Sequence, residues 1–218
     1  MLRILYEDNH LIAVLKPAGV LTQGDRSGEE SLMEMVKKYL KEKYQKKGNV
    51  FLGLLHRLDR PVEGIVLFAK TSKGASRLSE QIRERRIRKI YHAIVSGMPR
   101  EKKGILVDFL EKDTTRLKAR RSEKGVRAEL AYETIRMGKK YSLVRIDLKT
   151  GKFHQIRAQF SLMGCPIAGD VKYGAPEALP GDAIALAETE LSFETATTEE
   201  IKRISIPFPN IWENLLKE

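Results

Sequence analysis

The chain has 218 residues, 42% of them apolar and 32% charged, which suits one large or two small folded domains and is too apolar for a disordered chain. Its 40 Lys and Arg against 29 Asp and Glu give a net charge of +11, making nucleic acid the leading partner. No apolar run approaches the roughly 20 residues of a membrane helix, and a single cysteine, Cys165, excludes an internal disulfide or a Cys-cluster zinc site.

In chain order, strand-like runs at 4–6 and 11–16 lead into a Pro-Gly turn at 17–19, then a helix over 31–42. Ser31 and Glu34 have the spacing of a capping box at its start. A strand-like run at 64–69 precedes a helix at 72–85 and strands at 89–96, 128–137 and 140–149. Gly138 marks a hairpin turn between the last two. A helix is predicted over 155–163, and short strands over 184–193 and 202–206. The helices are too few and too unevenly spaced for a βαβ series. The expected fold is therefore α+β, a mainly antiparallel mixed sheet flanked by helices and loops. No linker or repeat interrupts it, so a single domain over 1–218 is expected. The N-terminus carries acids and a His where a signal peptide would be apolar, so the expected location is the cytoplasm.

The positive charge is concentrated. Residues 177–200 contain seven acids and no Lys or Arg. The excess lies in 37–47, with six Lys and interleaved Tyr39 and Tyr44, in 83–89, with five basic residues, and in 112–127, with seven. The first two continue helical patterns and read as solvated helix faces. The third has little apolar periodicity and lies between two strand-like segments, so a long, mobile, cationic loop suited to phosphates is expected there.

The segment richest in chemistry is Leu55-His56-Arg57-Leu58-Asp59-Arg60-Pro61, followed by Val62-Glu63-Gly64 and the apolar run Ile65-Val66-Leu67-Phe68-Ala69-Lys70. Pro61 ends any preceding regular structure, which puts Asp59 on a loop entering a buried strand. Flanking Arg57 and Arg60 would favour its charged form and prepare it as a nucleophile or base. A structural ion pair at the strand entrance is the plainer reading of these residues alone. The four histidines, His10, His56, His92 and His154, are dispersed and joined by no carboxylate pair, so no metal site is expected.

This segment resembles the central motif of the RluA family of rRNA and tRNA pseudouridine synthases. Further matches follow in family order: Lys16-Pro17-Ala18-Gly19, Lys89-Ile90-Tyr91-His92-Ala93 through Gly97, Thr150-Gly151 with His154-Gln155-Ile156-Arg157, Gly169-Asp170 with Tyr173-Gly174, and Pro207-Phe208-Pro209. Together they cover nearly the whole chain. Three departures stand out. The family's usual Thr-Ser-Gly is Val62-Glu63-Gly64, its Gly-Arg-Thr-His-Gln-Ile-Arg is Gly151-Lys152-Phe153-His154-Gln155-Ile156-Arg157, and its Leu-His-Ala is Leu186-Ala187-Glu188. The family pattern begins within the first ten residues, so the S4 RNA-binding domain of many members is not expected here.

The resemblance implies isomerisation of uridine to pseudouridine in structured RNA without a cofactor; a monomer is expected. It implies that Asp59 is the catalytic aspartate and that Tyr91 stacks on uracil with its phenol placed for proton transfer. Arg157 is implied to pair with the aspartate. The target base must be flipped out of its stack, and Arg57 is implied to fill the space it leaves. His56, Arg60, Lys16, Lys152, His154 and Gln155, with Arg116, Lys118, Arg120 and Arg121 of the cationic segment, are the other residues expected to contact RNA. One alternative is a non-catalytic RNA-binding or ribosome-associated protein on the same fold, against which Asp59, Tyr91 and Arg157 argue. Another is a small-molecule hydrolase using Asp59, disfavoured by the missing phosphate loop and the cationic surface.

Overall fold

A computed structural model describes residues 2–198 and 200–217. Its elements in chain order are β1 (Arg3–Glu7), β2 (Leu11–Lys16), α1 (Leu32–Lys43), β3 (Gly53–Leu54), β4 (Glu63–Ala69), α2 (Ser72–Arg83) and β5 (Arg88–Ser96). There follow β6 (Lys103–Asp113), β7 (Lys118–Arg121), β8 (Val126–Met137), β9 (Tyr141–Leu148), α3 (Gln155–Leu162), β10 (Leu186–Glu194), β11 (Ile201–Ser205) and α4 (Trp212–Leu215). The chain forms two compact units, one of residues 1–87 and 190–206, the other of residues 88–189 and 207–218. The class is α+β, as expected.

In the first unit β2 is paired antiparallel with β1 on one side and β4 on the other, β3 pairs with β4, and β11 pairs with the second half of β10. Alternate residues of these strands, Leu11, Ala13, Ile65, Leu67, Leu191 and Phe193, enclose a core with Leu78 of α2. Helix α1 buries Leu32, Val36 and Leu40, one stripe at a spacing of four, and its N-terminus carries the predicted capping box. Thr71 caps α2, accepting the Gly74 N–H at 3.1 Å. Gly74 is required here, since a Cβ would lie 2.7 Å from the His10 carbonyl oxygen.

In the second unit β5, β9, β8, β6 and β7 follow one another as antiparallel neighbours, with the first half of β10 beside β5. One core forms around Ile94, Leu143, Ala185, Ala187 and Trp212, and another around Leu110, Ala119, Ala128, Ala158 and Tyr173. The segment 112–127, expected as a loop, is instead half strand. Lys118–Arg121 pairs with the end of β6, and β8 begins at Val126. Within it Ala119 is the one buried residue, packed with the flanking Leu110 and Ala128, which is why its apolar pattern is faint in the sequence.

Candidate active site

Asp59 lies in the first unit, half-buried, on the loop before β4. Both of its neighbours are tied down. The Thr22 hydroxyl donates to the Leu58 carbonyl at 2.9 Å and accepts the Leu58 N–H at 3.2 Å. The Arg60 carbonyl accepts the Gly19 N–H at 2.8 Å and the Lys16 ammonium at 3.0 Å. Lys16 also donates to the carbonyls of Pro17 at 2.9 Å and Val20 at 2.7 Å. Its side chain is 0% exposed, so its three hydrogens knit the Pro17–Gly19 turn to the aspartate loop from beneath. Gly19, at φ +86, supplies the left-handed residue that the turn needs. Burial brings the Lys16 amine down to about 8, with Asp59 and Glu63 pulling it back up. Burial in turn raises the Glu63 carboxyl, which Lys16 and Arg3 oppose.

The other predicted residues of this unit divide by position. Arg57 is exposed. Arg60 is also exposed and turns away, donating to the Gly19 carbonyl at 3.0 Å and to Glu29 at 2.8 Å. His56 uses Nε2 to accept the Leu67 N–H at 3.1 Å, fastening the loop to β4. Lys16, expected to contact RNA, is corrected to an interior residue that shapes the loop, because none of its surface reaches solvent. The Lys-Tyr cluster of α1 also looks inward in part. Glu7 accepts Lys43 at 2.8 Å, Lys70 at 2.6 Å, Tyr44 at 2.7 Å and Tyr39 at 3.0 Å. Burial pushes the Glu7 carboxyl up, but these four donors overcome it and hold it at about 2.

Tyr91 and Arg157 belong to the second unit. Tyr91, on β5 and 6% exposed, donates its phenol proton to Glu188 of β10 at 2.5 Å. Arg157, on α3, is gripped by Asp170, with Nε 2.6 Å from Oδ2 and a terminal nitrogen 2.9 Å from Oδ1. The pair is 5% and 1% exposed. Such a bidentate pair fixes the guanidinium plane, and removing one partner of a buried pair costs about 3–5 kcal/mol. Asp170, to which the sequence reading gave no role, thus orients this guanidinium.

Tyr173 gathers three of the predicted residues. His154 Nδ1 lies 2.9 Å from its hydroxyl, Arg157 stands 5.0 Å from its ring centroid and Lys118 5.3 Å. His154 adopts a left-handed φ of +49 at the start of α3 and stacks on Phe153 at 3.8 Å, while Lys112 stands 4.7 Å above Phe153. Gln155 is corrected in the same sense as Lys16. It is buried, accepts from the Thr150 hydroxyl and the Lys152 N–H, and donates to Glu129 O and Gln159 Oε1. Its amide organises the turn before α3 instead of facing RNA. On the hairpin, Arg120 pairs with Glu111 at 3.3 Å and Arg121 forks onto Asp108. Arg116 and Lys152 are exposed.

Sequence reasoning missed Glu188, Asp170 and Tyr173 as participants. A signal was present for Glu188, an acid directly after the apolar run Ile184-Ala185-Leu186-Ala187 of a predicted strand. Among the described residues no group of His, Cys, Asp and Glu could hold a metal ion, and no helix is long and apolar enough to cross a membrane.

The chain is 34% identical over 81% of its length to a ribosomal large subunit pseudouridine synthase C of Rickettsia felis, of which it spans 57%. It is 30% identical over its whole length to a tRNA pseudouridine synthase C of Vibrio cholerae, of which it spans 96%. Human RNA pseudouridylate synthase domain containing 4 shares the fold, with a TM-score of 0.80 over 97% of this chain and 90% of that one, at 23% identity. Residues 10–162, the stretch from His10 through Asp59, Tyr91 and Arg157 to the end of α3, match the RNA pseudouridylate synthase family, and the chain belongs to that family of uridine-isomerising enzymes.

Proposed function

We propose that this protein isomerises specific uridines to pseudouridine in a structured rRNA or tRNA, with Asp59 as the catalytic aspartate. The observation that carries the reading is the Asp59 loop, a half-buried carboxylate whose two neighbours are both clamped. A group fixed in this way loses little entropy on meeting its target. The relatives' names supply both RNA classes, one ribosomal and one transfer RNA.

The reaction breaks the N-glycosidic bond, turns the uracil and joins C5 to the same ribose carbon. Neither atoms nor electrons are gained or lost, so no redox partner or group donor is called for. Asp59 acts on the species formed when the bond opens, as nucleophile or as counter-charge. Tyr91 lies against the base and exchanges a proton with it. Arg157, fixed by Asp170, supplies oriented positive charge. The nucleotide is flipped out to be reached, Arg57 fills its place, and exposed Arg60, Lys152 and the hairpin cations Arg116, Lys118 and Arg120 meet phosphates. The family match runs through residues of both units, which supports treating 1–218 as one catalytic domain. We take that domain to act in the cytoplasm as a monomer.

The test is direct. Purified protein is given a structured RNA with EDTA present, and pseudouridine is read by carbodiimide labelling. Conversion at an unchanged rate is expected. RNA binding with no conversion across rRNA and tRNA transcripts would instead leave a non-catalytic RNA-binding protein.

A further inference from the structure

Glu188 is a carboxylate with 0% exposure in the middle of a strand. Burying such a group is costly, and a shorter apolar residue would fill the same face of β10 at no electrostatic cost. Two groups of β5 face it. The Tyr91 phenol donates to its Oε2 at 2.5 Å. Lys89, two residues before Tyr91 and so on the same face of β5, is the nearby positive charge. The next residue pair in the ladder is also bonded, His92 Nδ1 lying 2.7 Å from Thr189 Oγ1. The phenol and the carboxylate are therefore held in register by the neighbouring pair. Burial pushes the Glu188 carboxyl up to about 7, with Lys89 and then Tyr91 drawing it back.

We infer that Glu188 is the proton acceptor behind Tyr91, a positioning residue through which the phenol takes a proton from the pyrimidine ring while handing its own to the carboxylate. The inference rests on the reading of Tyr91 as the residue against the uracil, and extends it. A phenol alone is a poor base, because its own proton must first leave. With Glu188 behind it the two transfers are coupled. The C5–H bond breaks, and its electron pair restores the ring double bond. The Tyr91 oxygen gains the C5 proton, its original proton passes to Glu188, and the carboxylate becomes a carboxylic acid. The uracil N1, which kept the electron pair of the glycosidic bond, takes a proton from water, and Glu188 returns one to water. The proton count is unchanged over the cycle.

Glu188→Gln keeps an oxygen to accept the phenol hydrogen bond and removes the basicity. The measurement is turnover on RNA carrying uridine or 5-deuterouridine at the target. We expect kcat to fall by at least about 100-fold, as for a lost general base, with KM for RNA within about twofold of wild type. A primary deuterium effect larger than that of wild type should accompany the fall, because C5 deprotonation becomes limiting. A merely structural lesion lowers the rate without enlarging the isotope effect. The double variant Tyr91→Phe with Glu188→Gln should be no slower than Tyr91→Phe alone, since the two act as one unit. If Glu188→Gln fails to fold, Glu188→Asp draws the carboxylate back by one methylene and should enlarge the isotope effect by itself. Turnover of Glu188→Gln within about tenfold of wild type with the isotope effect unchanged, or an unchanged effect in a folded Glu188→Asp, overturns the inference. Wild-type turnover by Tyr91→Phe would instead overturn the underlying reading of Tyr91.

Discussion

Asp59 is presented by a lysine that never reaches solvent. Lys16 satisfies three carbonyls from two loops, and each acceptor left unpaired in the interior costs about 1–3 kcal/mol. Lys16→Met, similar in length, should therefore lower stability by about 2–4 kcal/mol in urea unfolding. It should also cut kcat more than RNA affinity, because the clamp and not the RNA surface is removed. Glu7 offers a second test, with a pH sign. Its carboxyl is held at about 2 against an ordinary 4.5, so the stabilisation is fully present above 4.5 and disappears as pH falls towards 2. Glu7→Gln should cost about 1–3 kcal/mol at pH 7, and the difference from wild type should shrink across that window. At this scale the sequence singled out Asp59 but not its support. Lysine burial leaves no periodic trace, so Lys16 read as an RNA contact from its motif alone.

Elements whose apolar faces point inward at regular spacing were legible. Helix α1, with its Ser31–Glu34 box, and β2, β4 and β5, with their apolar runs, fall within a few residues of expectation. Ser31→Ala should accordingly cost about 1 kcal/mol, read by thermal unfolding. Strand β6 was not delimited, for a physical reason. Its apolar residues Ile105, Val107 and Phe109 face solvent, and its buried positions include Asp108, held by Gln159 and Arg121. The strand thus inverts the inside-outside rule on which alternation depends. The hairpin it forms with β7 offers Arg116, Lys118 and Arg120 to a polyanion, whereas Arg121 is needed to pair Asp108. Replacing the first three by Ala should weaken RNA binding and flatten its salt dependence, by about 0.7–0.9 in the log–log slope for each phosphate no longer neutralised. Filter binding across a salt series measures this, and turnover at saturating RNA should survive. An unchanged slope would make the hairpin an ordinary solvated ribbon.

On the scale of the whole molecule, motif order along the chain carried the family, but not the division into units. The first unit is completed by residues 190–206, which return to it after the chain has built most of the second. Local periodicity is blind to such a return, so the two compact units could not be read from it. Charge has the same whole-chain character. The net +11 is spread over Lys and Arg of both units, and attraction to RNA sums over them all. The proposed chemistry does not sum in this way, because it rests on a single carboxylate. Asp59→Asn removes one negative charge from a cationic protein, which leaves the long-range attraction intact or slightly stronger. In the proposed function it also removes the group that meets the ribose when the glycosidic bond opens. RNA affinity and its salt slope should therefore remain close to wild type while kcat falls by several orders of magnitude. Titration of RNA with the variant, alongside single-turnover conversion, separates the two quantities. Conversion within about tenfold of wild type would show that Asp59 is not the catalytic group. A large loss of affinity would show that the carboxylate holds the substrate and not only the reacting species.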